Sequence, residues 1–498
     1  TTTTSATAIA AAINAYGKGY SATSDTAVVT ITSSNGDSGN LTGETGGTIA
    51  VTQAALTDVS FANLAGTEAV DIYSADQVAV TLKDASGTAD SMTVNIKTGS
   101  LSKGIAQTVG EVVVENTETL TIDSSGLTTG IANTLTTLTG GVALTTLNVT
   151  GDSNLTATGL SGNTKLATID ATTFTGDLSV DSSATLNQTI TGGKGNDTFA
   201  MGANLNNGDV LDGGSNTVIP ATGVLGEDLV TATVTGLTSA TGALSVANVE
   251  RLNLTNNGTA VIDATAITGA ASISIDASND VTTISKLSTT QTVGLGFKDL
   301  SGGVGALGTL TVSLADETGT ADSLTIEAFE VSSATLKATA IETVNLQYSA
   351  TGAGIQNSSL TVSALNAQTI NISGSDVDTG HTLTLNTLDT DTTTVDSSAY
   401  KGVFTASSGS AANVTYNLAG TNINTITGST GKETVSVAST TATQVIDAGA
   451  GGTDVLNLTL GGAVDGATIT NFETINVIAK NSTAGSLAMD GATQNIND

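Results

Sequence analysis

Apolar and polar residues alternate along most of this chain with the period of two that is typical of β-strands. From about Thr26 onward, stretches such as TAVVTITSS and QVAVTLKD place β-branched residues at every second position, with Gly, Asn, Asp and Ser between the stretches. One stretch, residues 5–17, has helical spacing instead, with Ile9, Ile13 and Tyr16 on a single face. The pattern therefore predicts an all-β protein with one short N-terminal helix.

A short signature recurs within the β pattern: an apolar residue, then Asn or Asp, then usually another apolar residue. It appears as LNV at 147–149 and as INV at 475–477, and related positions lie 20 residues apart from Val149 to Ile169 and 21 apart from Ile169 to Ile190. Such spacings suit one rung of a solenoid, in which strands stack about 4.8 Å apart and Thr and Asn side chains form ladders. An array of β-sandwiches also gives short strands with Gly and Asn turns. We favour the parallel β-solenoid, or β-helix.

A longer repeat overlies the short one. VTLKDASGTADSMTV at 80–94 returns as VSLADETGTADSLTI at 312–326, and further matches follow in the same order, such as TITGGKGNDTF with TITGSTGKETV and VERLNL with FETINV. This order of matches predicts two tandem related segments. We predict a short helical lead-in at 1–25, a first β-solenoid segment at 26–255, bridging rungs at 256–311 and a second β-solenoid segment at 312–498.

Composition narrows the classes of function. The chain has 498 residues, 39% of them hydrophobic but only 3% aromatic, so its core is built from small aliphatic side chains. Its 13 basic and 45 acidic residues give a net charge of −32, which argues against nucleic-acid binding and against adhesion to anionic lipid. No apolar run reaches the length of a membrane span, so we expect no membrane insertion. The acidity serves either solubility or the binding of divalent cations.

The stretch GGKGNDTFA at 192–200 matches the pattern G-G-x-G-x-D-x-U-x at every specified position. Gly193 and Gly195 permit a tight turn and expose carbonyl oxygens, and Asp197 supplies a carboxylate. Calcium takes six to eight oxygen ligands, more than one such turn offers, so these turns bind calcium in stacked pairs. The alternative is a glycine turn with a purely structural role.

Other acidic turns are candidates for the same chemistry. The partners of the intact motif are degenerate, in VLDGGSNTV and DAGAGGTDVLNL, whereas TGSTGKETV at 427–435 has lost the motif. The element D-x-x-G-T-A-D-S occurs twice and places two aspartates six residues apart across a glycine turn. These aspartates either converge on a cation or bond their own backbone in solvated turns. The further candidate metal ligands are Asp212, Asp447, Asp454, Asp84, Asp90, Asp316 and Asp322.

The sequence offers few arrangements of residues that could carry out catalysis. A Ser-His-Asp arrangement would depend on His381, the one histidine of the chain, which sits in a polar stretch. The chain has no cysteine, and it shows neither a phosphate loop nor zinc-ligand spacing. We predict that the protein is not an enzyme, with a carbohydrate-active β-helix enzyme as the least favoured alternative.

The nonapeptide at 192–200 resembles the RTX calcium repeat of type I secreted proteins. LADETGTADSLTI followed by AIETVNL, and GAGGTDVLNL followed by NFETINV, resemble the lattice-forming portion of calcium-dependent S-layer proteins of Gram-negative bacteria. The resemblance covers most of residues 60–480. It implies a calcium-stabilised parallel β-helix that self-assembles into a two-dimensional lattice on the cell surface. In that family a separate N-terminal region binds lipopolysaccharide and the extreme C-terminus is the secretion signal.

From this resemblance we expect an extracellular structural protein with Ca²⁺ as its cofactor and other copies of itself as its partners. Lipopolysaccharide would be reached through a region outside this chain, and the start TTTTSATAIA without Met predicts a processed product or a fragment. Calcium would fill weak sites outside the cell, so that binding contributes to folding and assembly. The alternative is an RTX adhesin or biofilm-matrix fibre that uses the same solenoid as a stalk.

Overall fold

The structure is a computed structural model of the whole chain. The predicted helix at 5–17 lies largely outside the residues that the structure describes, as does His381. The described residues are 10–11, 14, 20–25, 28–33, 58–64, 66, 69–72, 75–97, 106–126, 132–182, 184–216, 226–234, 244–256, 258–267, 269–276, 281–297, 305–329, 331–348, 359–363, 367–374, 382–386, 388–400, 402–408, 413–419, 424–440, 444–450, 453–460 and 467–479.

The described chain is an all-β parallel β-solenoid, which confirms the predicted fold class at that level. One strand from each of two parallel sheets, with the loops between them, makes one rung. Ala10, Ala11 and Asn14 have α-helical backbone, and the helix whose bounds the structure gives is a single 3₁₀ turn, Ala264–Ala266, whose N-cap Asp263 accepts a hydrogen bond from the Thr265 N–H. No helix among the described residues is long and apolar enough to cross a bilayer.

The solenoid divides into two compact units, the first comprising Thr1–Ala200 with Gly213–Gly226 and the second Met201–Asp212 with Glu227–Asp498. The strands that begin in the first unit are β1 (Tyr20–Asp25), β2 (Val28–Ser33), β3 (Val59–Leu64), β4 (Ala69–Ile72), β5 (Ala75–Leu82), β6 (Ser91–Lys97), β7 (Thr108–Val114), β8 (Thr119–Ser125), β9 (Asn133–Thr139), β10 (Thr146–Gly151), β11 (Leu155–Ala157), β12 (Thr168–Asp170), β13 (Leu178–Asp181), β14 (Thr189–Thr191) and β15 (Thr198–Gly202).

Within the first unit, β1 and β2 form an antiparallel hairpin. The even-numbered strands from β4 to β14 pair in parallel in chain order, and the odd-numbered strands from β3 to β15 do the same. Most of these strands bury every second side chain, so that Leu120, Leu147, Ile169 and Ile190 stack in one column of the core. The register places Leu147, and not Val149, opposite Ile169. The predicted spacing from Val149 to Ile169 therefore does not join equivalent positions of the two rungs.

The strands of the second unit are β16 (Val210–Asp212), β17 (Leu229–Val234), β18 (Ser245–Ala247), β19 (Val249–Asn256), β20 (Ala260–Asp263), β21 (Ala270–Ile275), β22 (Thr282–Leu287), β23 (Thr292–Leu295), β24 (Gly305–Leu314), β25 (Ser323–Ala328), β26 (Val331–Thr339), β27 (Thr343–Tyr348), β28 (Ser359–Ser363), β29 (Thr369–Ser373), β30 (Thr382–Asn386), β31 (Thr394–Ala399), β32 (Val403–Ser407), β33 (Val414–Ala419), β34 (Asn424–Ser429), β35 (Glu433–Thr440), β36 (Gln444–Gly449), β37 (Val455–Leu460), β38 (Thr468–Thr470) and β39 (Thr474–Ala479).

In the second unit β16 pairs with β18, the odd-numbered strands from β17 to β39 form one parallel sheet, and the even-numbered strands from β20 to β38 form another. The core again consists of inward aliphatic side chains, with Val344, Ile370 and Val395 fully buried on successive rungs. On the outer face the Asn371 amide donates to Asn345 Oδ1 at 2.9 Å. The recurring Asn of the short signature therefore forms part of a side-chain ladder, as its spacing predicted.

Candidate functional site

The turn at 192–200 connects β14 to β15 in the first unit. Both of its central glycines lie against the backbone of the preceding rung. A Cβ added at Gly193 would collide with the carbonyl oxygen of Phe174, and one added at Gly195 would collide with that of Gly176. These positions are glycine because neighbouring rungs approach too closely for any side chain.

Asp197, the aspartate of this turn, is fully buried. Its Oδ2 accepts the Gly193 N–H at 2.6 Å and its Oδ1 accepts the Leu178 N–H at 2.8 Å. Burial raises the pKa of Asp197 to about 6, the two backbone hydrogen bonds oppose that shift, and the nearby Asp177 carboxylate adds to it. The side chain closes its own turn and also joins it to the rung before.

The same kind of link continues to the preceding rungs. Asp177 Oδ1 accepts the Asn196 N–H at 2.8 Å, and the Asp177 N–H in turn donates to Asn154 Oδ1 at 2.9 Å. A side-chain acceptor at the start of one strand thus receives a backbone donor from the neighbouring rung at each step. This column satisfies N–H groups that the strands themselves leave unpaired.

Hydrogen bonds from backbone N–H groups reach several oxygens of the intact motif. Both carboxylate oxygens of Asp197 already accept backbone N–H groups, and the Gly193 carbonyl accepts the Ser215 N–H at 2.9 Å. No group of three or more His, Cys, Asp or Glu side chains is arranged around a common metal position within the described residues.

The structure gives Asp212 and Asp447 one shared role rather than bringing either to Asp197. Asp212 Oδ1 accepts the Asn248 amide at 2.8 Å, and Asp447 Oδ1 accepts the Asn471 amide at 2.6 Å. Each of these bonds joins neighbouring rungs of the second unit. The equivalence follows the long repeat, in which VLDGGSN aligns with VIDAGAGGTD.

The first aspartate of each D-x-x-G-T-A-D-S element caps its own loop. Asp84 accepts the hydroxyl and N–H of Ser86, and Asp316 accepts those of Thr318. These hydrogen bonds lower the pKa of both exposed carboxylates. The duplicated sequence therefore makes duplicated turns, of the kind in which aspartates bond their own backbone.

The second aspartate of each element begins a different arrangement, which we call the Asp–Glu step. In it, the N–H of an Asp just before a strand donates to a Glu carboxylate on the next rung. The step was not predicted from the sequence, although its Glu recurs in TETLTI, VERLNL, IETVNL and FETINV. The steps are Asp90 to Glu118 at 2.8 Å, Asp228 to Glu250 at 2.7 Å, Asp322 to Glu342 at 2.9 Å and Asp454 to Glu473 at 2.6 Å.

Each Asp–Glu step has the same backbone turn two residues before its Glu, where φ is positive. The residues there are Asn116 (52°), Asn248 (50°), Ala340 (52°) and Asn471 (61°). Asn tolerates this left-handed conformation better than other residues with a side chain, whereas Ala has a Cβ and no compensating polar group. Ala340 is therefore the strained member of the set.

The Asp454 step differs from the others because a further buried carboxylate precedes it. Glu433 and Asp454 are both fully buried, and Asp454 Oδ1 accepts the Glu433 N–H at 2.7 Å. Burial raises the pKa of Asp454 to about 6, the hydrogen bond from the Glu433 N–H opposes that shift, and the carboxylates of Glu433 and Glu473 add to it. Sequence reasoning selected Asp454 but missed Glu433, because TGSTGKETV no longer matched the nonapeptide.

Comparisons with known proteins add no assignment: no protein-family model, no curated protein and no solved structure matches this chain.

Replacing Gly193 by Ala should destabilise the protein by about 1–3 kcal/mol, since the new methyl group must displace the backbone of the preceding rung. The midpoint of urea denaturation measures this loss. Gly162→Ala is the matched control, because a Cβ there meets nothing within 4 Å. Equal midpoints for the two variants would contradict the close approach of the rungs.

Replacing Ala340 by Asn should stabilise the protein by about 1 kcal/mol, because Asn tolerates the positive φ better. The reciprocal change, Asn471→Ala, should destabilise by at least as much, since it also removes the amide that Asp447 accepts. Thermal denaturation of the two variants checks both signs. A destabilised Ala340→Asn variant would show that the turn is not strained.

In cation-free buffer the protein should lose stability as the pH rises from 5 to 7. Because the folded pKa of Asp197 and of Asp454 is about 6, above the ordinary value of Asp, the folded state holds protons there that the unfolded chain has released. The loss is about 1 kcal/mol for each group. Urea denaturation with a chelator present measures it, and Asp197→Asn should flatten the slope. An unchanged slope in that variant would contradict the assignment.

Proposed function

We propose that this chain is a structural protein of the bacterial cell surface that is secreted and self-assembles into a calcium-dependent two-dimensional lattice. The proposal follows the resemblance to S-layer proteins in residues 60–480 and is supported by the parallel β-solenoid. It treats other copies of the chain as the main partners. Lipopolysaccharide is the expected anchor, through a region outside this chain.

The observation that carries the proposal is the repetitive outer face of the second unit. From β25 to β39 the register aligns two outward columns along the sheet, and twelve of their sixteen members are Thr or Asn. The first column is Ser323, Thr343, Thr369, Thr394, Thr415, Thr434, Val455 and Thr474, and the second is Thr325, Asn345, Asn371, Asp396, Asn417, Ser436, Asn457 and Asn476.

A face of this kind suits contacts between identical copies. Its hydrogen-bonding groups recur at the strand spacing, so one favourable contact is repeated many times along a sheet. Head-to-tail contacts that do not close into a ring extend indefinitely, as a lattice requires. The face carries little charge, whereas the whole chain carries −32, so cations that offset the remaining charge favour close packing of copies.

A second candidate function is the adhesin or biofilm-matrix fibre. The exposed strand β39 favours it. Within the described residues, β39 pairs with β37 on one side, and its Val477 and Ile478 are 50% and 56% exposed. An edge strand with exposed apolar side chains is a template for pairing with another chain. Copies stacked end to end through β39 would form filaments rather than sheets.

Electron microscopy of the purified chain with calcium and with a chelator distinguishes these functions. Planar ordered sheets that form only with calcium are expected for the lattice, and unbranched filaments would indicate the fibre. Thr394→Lys should abolish the sheets while the circular dichroism spectrum stays unchanged, and Thr394→Ser should retain them. Dispersed single particles in both conditions would overturn self-assembly. Release of sugar from polysaccharide would instead support an enzyme.

A further inference from the structure

The degenerate turn TGSTGKETV at 427–435 contains an unusual buried carboxylate. Glu433 occupies the place that Asp197 has in the first copy of the repeat, and Ser429 occupies the place of Gly193. Glu433 Oε1 accepts the Ser429 N–H at 3.0 Å and the Ser429 hydroxyl at 2.8 Å. Both of these hydrogen bonds reach the same oxygen, whereas Asp197 uses both of its oxygens as acceptors.

The second carboxylate oxygen of Glu433 is buried without a donor, and so is that of Asp454. Glu433 Oε2 and Asp454 Oδ2 are both inaccessible to solvent and accept no N–H or O–H donor, and the two carboxyl side chains lie within hydrogen-bonding range of each other. The parallel register of β35 and β37 places Asp454 directly opposite Glu433, one strand spacing away. Among the described residues, no Lys, Arg or His forms an ion pair with either carboxylate.

Two neutral hydroxyl groups lie near Glu433. The Tyr416 hydroxyl is buried; burial raises its pKa, a hydrogen bond with the Ser408 side chain lowers it, and the nearby Glu433 carboxylate raises it further. The Ser408 hydroxyl lies 3.3 Å from Glu433 Oε1. Ser408 and Tyr416 are themselves fully buried. These side chains thus offer carboxylate, phenol and alcohol oxygens, and none of the ion pairs within the described part of the chain involves them.

We propose that Glu433 and Asp454, with the Tyr416 hydroxyl, bind a divalent oxygen-seeking cation of the Ca²⁺ type. The inference deepens the proposed function, on which its biological role rests, by naming the site that makes the protein calcium-dependent. The proposed site lies in the turn where the motif has degenerated, and not in the intact nonapeptide at 192–200.

The physical reason is the cost of burying two carboxylates side by side. Like charges at one strand spacing in a dry interior oppose each other strongly, and an unpaired buried polar oxygen costs about 1–3 kcal/mol. A divalent cation removes both penalties at once, because it neutralises the two charges and occupies the two oxygens without donors. Hydroxyl, carbonyl and water oxygens complete the six to eight ligands that calcium takes.

Terbium luminescence tests the site on the full chain. Tb³⁺ replaces Ca²⁺ at oxygen sites, and a tyrosine beside it sensitises its emission. The chain has six Tyr and no Trp, so excitation reports on tyrosine alone. We expect sensitised emission that Ca²⁺ displaces, and we expect Glu433→Gln/Asp454→Asn to weaken Ca²⁺ binding by roughly tenfold or more in calorimetry, equivalent to about 1.4 kcal/mol.

Two further variants locate the site. Tyr416→Phe should lose most of the sensitised emission and keep most of the calorimetric Ca²⁺ binding, because it removes the sensitiser and one neutral ligand. Glu118→Gln, which alters a carboxylate that accepts the Asp90 N–H far along the chain, should behave as the wild type in both measurements. A circular dichroism spectrum for each variant shows that it is folded.

The possible outcomes separate the site from the function. Full Ca²⁺ binding by the folded double variant, or emission unaffected by Tyr416→Phe, would overturn the site. No Ca²⁺ uptake by the wild type would also overturn it and would indicate that the two carboxyls share a proton. Ca²⁺ binding lost in the double variant without sheet formation by the wild type would support the site and contradict the lattice.

Discussion

The stacking of one rung on the next is the constraint on which the rest of this structure depends. Parallel strands satisfy one another's backbone groups along their length, but where each strand begins, N–H groups point at the next rung without a strand partner. An unpaired buried N–H is costly, so a side chain must accept it. In this protein the acceptor is most often a carboxylate, as at Asp197, Glu118 and Glu473.

This use of carboxylates accounts for part of the acidic composition without any ligand. A carboxylate has two oxygens and no donor, so it accepts backbone N–H groups better than an amide does. The turn aspartates and the Asp–Glu steps place such groups at the same point of successive rungs. Their negative charges are therefore brought together along the stack of rungs.

The contrast between the two copies of the repeat shows how small a change alters a turn. The Asp197 carboxylate accepts the N–H groups of Gly193 and Leu178, so each of its oxygens has a donor. Glu433 is one methylene longer and faces Ser429 instead of glycine, so its donors gather on Oε1 and Oε2 remains unpaired. The copy that matches the calcium motif thus gives each oxygen of its carboxylate a donor, whereas the copy that has lost the motif leaves one carboxylate oxygen without a donor.

The amino-acid sequence by itself determined the all-β class, the parallel stacking and the Asn ladder, because side-chain alternation and rung-length spacing are local properties that any strand expresses. It also marked Gly193, Asp197 and Asp454 as special. Only the tertiary structure decided which carboxylate oxygens lack a hydrogen-bond donor, since the donors lie some twenty residues away on the neighbouring rung. For the same reason the role of Glu433 and the register at Leu147 became visible only when the rungs were stacked.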